Sequence, residues 1–422
     1  MRKRRSDTLA LMTTPNPWTG DDRPQPPGVR TSWSGQVSAY DPGSEPGPGS
    51  QRRSSRARIR TWAITGLVVV GFAFSGLVLA VNVGGHLGLV TTLLAVLAAA
   101  LPLGIVVPTF LWLDRFEAEP TRLLVFAFAW GALFAAAIAA FLNTSALAVF
   151  RAATDPTSAL QTTAVVVAPF VEEAAKGLLV LVVWRFLRRE FDGIIDGMVY
   201  AGLVAAGFAF TENITYLGQA YQEGGGPYLA ATFVLRGVFS PFAHPIFTCM
   251  TGIGIGIAAT SGSRWLRVVA PLAGYLLAVL AHSMWNLAAT LGGHGMVVFY
   301  VLVEVPIFVA FLALIGWARR REGQLIGIFL SPYAAAGWLS PGEVAMLSSM
   351  SRRREARMWA RTNTGPRGLA AMRAFQDAAS ELALLRRRMY NSIADAQALG
   401  TERQLLDALV ARRREFIGTT LV

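Results

Sequence analysis

Long apolar runs alternate with short polar or arginine-bearing segments over most of the chain. Each run is close to the roughly 20 residues that a helix needs to cross a bilayer. About eight can be recognised, at 62–83, 87–113, 123–150, 164–187, 194–217, 236–260, 267–291 and 296–318. The pattern predicts an all-α polytopic membrane protein with about eight transmembrane helices.

The two ends of the chain differ from this central part. Residues 11–50 are rich in Pro, Gly, Ser and Asp, so they lack the apolar side chains that a folded core needs. In the C-terminal part, apolar residues recur at helical spacing from Leu369 to Met389 and from Leu405 to Phe416. Gly400 between them reads as a helix stop. We therefore expect a disordered basic cytoplasmic tail at 1–60, a transmembrane domain at 61–318, and a basic cytoplasmic tail with a helical hairpin at 319–422.

Composition and charge agree with a membrane protein. The chain is 53% hydrophobic and 15% charged, whereas soluble domains carry about 25% charged residues. The net charge of +12 lies in the two tails, while residues 61–318 carry −2. Arginines also cluster after the second, fourth, sixth and eighth runs, which places both termini in the cytoplasm. We therefore expect membrane lipids as partners, and no nucleic acid.

Ionisable side chains interrupt several of the apolar runs. Such groups are costly in hydrocarbon and are by default candidates for function. They are Glu172, Glu173 and Lys176 in the fourth run, Glu212 in the fifth, His244 in the sixth, His282 in the seventh, with Asn286 one turn later, and Glu304 in the eighth.

These groups are expected to lie at one level of the membrane. Glu212 is about 5 residues from the outer end of its run, and about 8–9 residues separate the outer ends of the other runs from Glu172, Glu173, His244, His282 and Glu304. At 1.5 Å per residue, the depths are roughly 8–14 Å. Helices running in opposite directions thus bring carboxylates and imidazoles together in the outer half of the bilayer.

Two hydrolytic chemistries fit this set, and spacing does not separate them. In the first, His244, His282 and a carboxylate, for which Glu212 is the candidate, bind a metal such as zinc, and a second glutamate is the general base. In the second, a glutamate activates water without a metal, while His282 and Asn286 stabilise the oxyanion. Glu172 and Glu173 are the candidates for the base.

A different class of protein uses the same residue types. Glutamates, histidines and kinked helices also build proton relays, so a proton-coupled transporter or channel is the alternative. The chain shows no convincing internal repeat, and its ionisable groups share one depth rather than following a path. Both observations favour an enzyme.

The ordered motifs resemble a known family. They are Glu172-Glu173-x-x-Lys176, Phe208-x-x-x-Glu212-Asn213, His244 and His282-x-x-Trp285-Asn286, with Asp114–Pro120 and Asp192–Gly197 as further similar segments. Together they resemble the PrsW-type intramembrane proteases, which are related to the CAAX-processing and bacteriocin-processing membrane proteases, over about residues 105–290.

The resemblance implies a membrane-embedded peptidase, with or without zinc, in a bacterial cell membrane. Residues 61–318 would then be the protease domain. The substrate would be a single-span membrane protein cut near the extracytoplasmic side, such as an anti-sigma-like regulator. The doubled glutamate and the two histidines carry over as catalytic or metal-binding candidates.

Overall fold

The structure is a computed structural model that describes residues 66, 68–81, 84–116, 119–187, 191, 193–391 and 397–417. The expected disordered tail at 1–60 lies outside the described residues. Helices make up almost all of the described chain, and it contains no strand. The prediction of an all-α fold is confirmed.

The helices of the membrane core follow one another with short connections. Helical residues at 68–81 and 84–87 come first. They are followed by α1 Leu89–Ala100, α2 Leu103–Leu113, α3 Thr121–Ala129, α4 Ala136–Ala153, α5 Pro156–Thr162, α6 Ala168–Phe186, α7 Ile194–Phe233, α8 Ala243–Thr260, α9 Leu266–Leu291, α10 Gly293–Phe299 and α11 Val305–Ala335. Short π-helical segments occur at Trp130–Ala135, Thr163–Val167, Val234–Phe239 and Tyr300–Glu304.

Six stretches of the described chain are long and apolar enough to cross a membrane. They are Val68–Leu87, Leu89–Leu113, Thr121–Ala153, Ile194–Thr260, Leu266–Leu291 and Gly293–Ala335. The stretch Ile194–Thr260 contains both α7 and α8, which correspond to the fifth and sixth apolar runs. Helix α6 lies at the fourth run, but its three ionisable residues at 172–176 lower its apolar character. The polytopic membrane class is confirmed, and the number of about eight spans is approximate.

The segment between the fifth and sixth runs is helical rather than an open loop. Helix α7 continues past Leu217, and its regular backbone is interrupted at Gly224 and at Gly225, where φ is +64°. Only glycine adopts this conformation readily. The chain then turns back as a second helical segment, which ends in the π-helical Val234–Phe239. Helical structure therefore extends further from the bilayer centre than the apolar pattern alone indicated.

Helices α7 and α8 cross at a point where both backbones lack a side chain. A Cβ placed on Gly197 would lie 2.1 Å from the carbonyl oxygen of Gly252, and a Cβ on Gly252 would lie 2.1 Å from that of Gly197. Small residues allow this kind of close approach in membrane bundles, where packing replaces the hydrophobic effect as the source of association. The contact fixes α8, and with it the site described below, against α7.

The C-terminal part forms three further helices, α12 Pro341–Leu347, α13 Met350–Tyr390 and α14 Ala398–Ile417. A break at Gly365, with φ +67°, divides α13 into two halves. The halves pack together, since the Gln376 amide donates to the Arg353 carbonyl over 3.0 Å. Phe416 of α14 contacts Phe375 with ring centroids 5.3 Å apart. The two expected amphipathic segments lie in α13 and α14, while Gly400 lies inside α14 and does not end a helix.

This C-terminal unit is attached to the membrane core by a buried guanidinium. Arg353 is 2% exposed. It donates from Nη1 to the carbonyl of Phe116, three residues after the end of α2, over 3.0 Å. The Asn391 amide, just after α13, donates to the carbonyl of Thr260, the last residue of α8, over 3.3 Å. The unit therefore rests on the end of the bundle that is opposite to the turn at Gly225.

The crossing of α7 and α8 generates a stability prediction. Gly252→Ala should lower the free energy of unfolding by about 1–3 kcal/mol, because the added methyl group forces the two backbones apart. Thermal unfolding of the purified protein in detergent measures this. Gly316→Ala is the matched control, because a Cβ there meets nothing within 4 Å and alanine favours a helix over glycine by about 1 kcal/mol. Equal unfolding temperatures for Gly252→Ala and wild type would contradict the close crossing.

Candidate active site

The carboxylate of Glu173 lies at the centre of a buried polar cluster. Its side chain is 0% exposed. Lys176 Nζ donates to Oε1 over 2.6 Å, and His282 Nδ1 lies 2.9 Å from the same oxygen. The hydroxyl of Thr248 donates to Oε2 over 2.8 Å. Because Thr248 is on α8 and His282 on α9, the carboxylate joins three helices.

His244 extends the cluster toward α7. It is the second residue of α8, and its Nδ1 lies 3.3 Å from Lys176 Nζ. Its Nε2 lies 2.8 Å from Oε2 of Glu212. An ammonium group only donates hydrogen bonds, so Nδ1 accepts and Nε2 carries the proton that faces Glu212. The ring of Phe208, one turn before Glu212, covers the imidazole with centroids 5.6 Å apart.

Glu172 differs from its neighbour in having an unsatisfied oxygen. Its Oε1 accepts from the amide of Asn143 over 3.1 Å. Its Oε2 is buried and has no hydrogen-bond partner among the described residues. Nε2 of His282 lies 3.8 Å from it. A buried acceptor without a partner costs free energy, which makes this oxygen a point for a proton or a bound ion.

Glu212 lies at the partly exposed edge of the cluster. Its side chain is 21% exposed and forms an ion pair with Arg236, at 2.5 Å between Arg236 Nη2 and Oε2. Arg236 lies in the π-helical Val234–Phe239 and also donates from Nε to Oδ1 of Asn213 over 2.6 Å. Glu212 and Arg236 are thus the members of the cluster that are accessible from outside the bundle, whereas Glu173 and Lys176 are completely buried.

Other residues predicted for the site lie apart from these contacts. The amide of Asn286 donates to the carbonyl of Ala164 over 2.8 Å, so its role with His282 at an oxyanion stays a prediction. Glu304 is buried in its own π-helical segment, and its Oε1 has no partner in the described part of the chain. Asp192, the first residue of one of the further similar segments, lies outside the described residues.

The residues present fit a metal ion. One potential ligand atom from each of Glu172, His244 and His282 lies within 4.8 Å of the other two. The unpartnered Oε2 of Glu172 lies 3.8 Å from Nε2 of His282, whose Nδ1 faces Glu173. Imidazole ligands are typically oriented by a carboxylate in this way. The geometry groups Glu172 with the two imidazoles, whereas the sequence suggested Glu212; the ligand role of Glu212 stays a prediction.

Three contacts of the site were missed by reasoning from sequence. Thr248 lies one turn after His244 and so shares its face of α8, which is a signal that spacing offered. Asn143 is an amide inside an apolar run, where side chains of this type hydrogen-bond across helices. Arg236 is the first residue of the sixth apolar run, and nothing in its position along the chain indicates a contact with Glu212.

The fold and the site define a polytopic helical membrane protein with a buried glutamate–histidine cluster. Residues 119–311 match the family described as PrsW family intramembrane metalloprotease. The family model covers the part of the chain that carries the motifs, so their resemblance to the PrsW family is confirmed. The family consists of hydrolases, which agrees with the expected membrane-embedded peptidase.

A curated relative supports the same conclusion. Protease PrsW of Oceanobacillus iheyensis is 34% identical to the chain over 104 residues, which cover 24% of this chain and 42% of the relative. The chain thus matches less than half the length of this relative. No solved structure matches the chain.

Proposed function

We propose that the protein is an intramembrane endopeptidase that hydrolyses a peptide bond of a membrane-anchored protein near the extracytoplasmic side. The observation that carries this proposal is the convergence of two glutamates and two histidines, from α6, α8 and α9, on one buried point. They lie within the part of the chain that matches a metalloprotease family. Helices of a membrane protein do not need four such groups for packing alone.

The contacts suggest different roles for the adjacent glutamates. Glu173 already accepts three hydrogen bonds, which suits it to orient His282 and Lys176. Glu172 has an unpartnered oxygen beside His282, which suits it to hold water or a metal. Without a metal, Glu172 would take a proton from the attacking water and return it to the amide nitrogen as the C–N bond breaks.

Zinc is the metal that this donor set favours, since imidazoles and a carboxylate with an open position are typical of catalytic zinc sites. Glu172, His244 and His282 would hold it, and it would supply Lewis-acid activation of water and of the scissile carbonyl. Glu212, which remains partly exposed, would then be the carboxylate that accepts the proton of the attacking water.

The proposed substrate is a single-span membrane protein of the anti-sigma type. The carbonyls of a substrate helix are engaged in hydrogen bonds with the helix itself, so the segment must unwind before attack. Unwound backbone is tolerated in a membrane only where protein or water satisfies its polar groups. The partly exposed side chains of Glu212 and Arg236 would provide such a polar environment at the edge of the bundle.

Activity of the purified protein in lipid nanodiscs tests the proposal. Glu172→Gln, Glu173→Gln, His244→Ala and His282→Ala should each lower the rate of cleavage of single-span substrates by about 10²–10⁴-fold, since positioned acid–base groups contribute that much. Glu223→Gln is the matched control, because it removes an exposed carboxylate from the same helix as Glu212. Mass spectrometry of the products should locate the cut in or just outside the outer third of the substrate helix.

Two results would contradict this. Wild-type rates in both histidine variants would remove the proposed site. Cuts confined to the cytoplasmic half of the substrate helix would contradict an outward-facing site, even if the protein is a protease.

Metal content gives a second test. We expect near-stoichiometric zinc in tag-free protein, and its loss in Glu172→Gln and His282→Ala, because each variant removes one of three ligands. His294→Ala is the control, since it removes an exposed imidazole outside the cluster. Elemental analysis after gel filtration measures the metal. Full activity of a preparation verified to be free of metal would contradict the metal-dependent mechanism and support the glutamate-only mechanism.

Orientation is tested by cysteine labelling in whole cells. The arginine distribution places both termini in the cytoplasm. In a Cys249→Ala background, Gly226→Cys and His294→Cys should react with an impermeant thiol reagent, whereas Ser351→Cys should react only after lysis. All three positions are exposed or open in the structure. Labelling of Ser351→Cys in intact cells would reverse the orientation and move the site to the cytoplasmic half.

A further inference from the structure

We propose that Arg236 is a positioning residue of the site, which holds the Glu212 carboxylate against Nε2 of His244. This role rests on the proposed protease function. It also accounts for Asn213, which belongs to the Phe208–Asn213 motif but has no part in the chemistry described above.

The guanidinium makes three contacts with one face of α7. Nη2 lies 2.5 Å from Oε2 of Glu212, and that same oxygen lies 2.8 Å from Nε2 of His244. Nε donates to Oδ1 of Asn213 over 2.6 Å. The guanidinium carbon lies 4.0 Å from the centre of the Tyr216 ring, one turn further along α7. The ion pair, the hydrogen bond to the Asn213 amide oxygen and the contact with the Tyr216 ring together fix the orientation of the guanidinium.

The fold brings Arg236 next to Glu212 because the two residues are nearly the same number of positions from the turn at Gly224 and Gly225. Glu212 lies 12 residues before Gly224, and Arg236 lies 11 residues after Gly225. At 1.5 Å per residue, both are about 17 Å from the turn along antiparallel helical segments. The π-helical backbone at Val234–Phe239 carries the residue at the site, and π-helical segments of this kind are frequent at functional sites.

The contact matters because Oε2 of Glu212 is shared. One oxygen accepts from Arg236 and from His244, so the position of the carboxylate decides the direction in which the imidazole points. The guanidinium is planar and donates through Nε and Nη2 at a fixed angle, which a lysine ammonium does not reproduce. Arg236 therefore acts on the reaction through Glu212 and His244, and does not itself touch the reacting atoms.

Kinetics of variants separate this role from others. Arg236→Lys and Arg236→Gln should lower kcat by about 10–100-fold, as is typical for residues that orient a site, with KM unchanged within about twofold. Guanidinium ion in the buffer should restore part of the activity of Arg236→Ala, because the side chain is 16% exposed and its place is accessible. Arg151→Gln, which removes an exposed arginine elsewhere, should match wild type in all three measurements.

Several outcomes would overturn the role. Wild-type kcat in Arg236→Gln would remove it while leaving the protease function intact. A large rise in KM with unchanged kcat would instead make Arg236 a substrate-binding residue. Loss of activity in Arg236→Ala with no response to guanidinium ion, together with a lowered unfolding temperature, would make it only structural.

A double-mutant cycle tests the contact even without cleavage. If Arg236 acts through Glu212, the changes in unfolding temperature of Arg236→Gln and Glu212→Gln should be non-additive, with the double variant close to the worse single variant. Additive changes would overturn the contact. Wild-type protein that cleaves no substrate would overturn the proposed function separately, because the cycle does not depend on activity.

Discussion

The buried carboxylate of Glu173 is the constraint on which the arrangement of the core depends. A fully buried charge is tolerated only when opposite charge and hydrogen bonds replace its lost hydration. Lys176 supplies the charge from the same helix, and Thr248 and His282 supply hydrogen bonds from two others. Removing one partner of such a pair costs about 3–5 kcal/mol. The need to satisfy one carboxylate thus fixes α6, α8 and α9 relative to one another, and the imidazoles with them.

The helices themselves could be predicted because length and apolar character decide what crosses a bilayer. The segment after Leu217 could not, because Gln222, Glu223 and three glycines in succession have the composition of a loop. Tertiary contacts decide otherwise. The amide of Gln222 donates to the carbonyl of His86 over 2.7 Å. Leu217, at the start of this segment, packs in one cluster with Ala95 and Ala99 of α1. The hydrogen-bonding group of Gln222 thus finds its partner on a neighbouring helix, and the segment can remain helical.

The site shows a similar division between local and distant information. Spacing placed Lys176 on a face that reaches Glu173, and the roughly 100° between adjacent helical positions explains why Glu172 meets Asn143 instead. Local spacing carries no information about which residue of a distant helix approaches a given side chain. Asn143 and Arg236 were therefore missed, although both types are costly to leave unpaired in a membrane. A polar residue in an apolar run indicates that a hydrogen-bond partner exists on another helix, but only the structure identifies that partner.

The proton on His244 connects the two chemistries that the site allows. With Lys176 donating to Nδ1, the imidazole presents an N–H to Glu212. Were His244 to hold a metal through Nε2, that nitrogen would have to be unprotonated and would no longer donate to the Glu212 carboxylate. Arg236 keeps that carboxylate paired in either case, so the change does not leave a buried charge alone. The Oε2 of Glu172 is then the atom whose role differs, as a ligand when metal is bound and as a base when it is not. Both mechanisms use the same residues, which explains why the order and spacing of the motifs did not distinguish them.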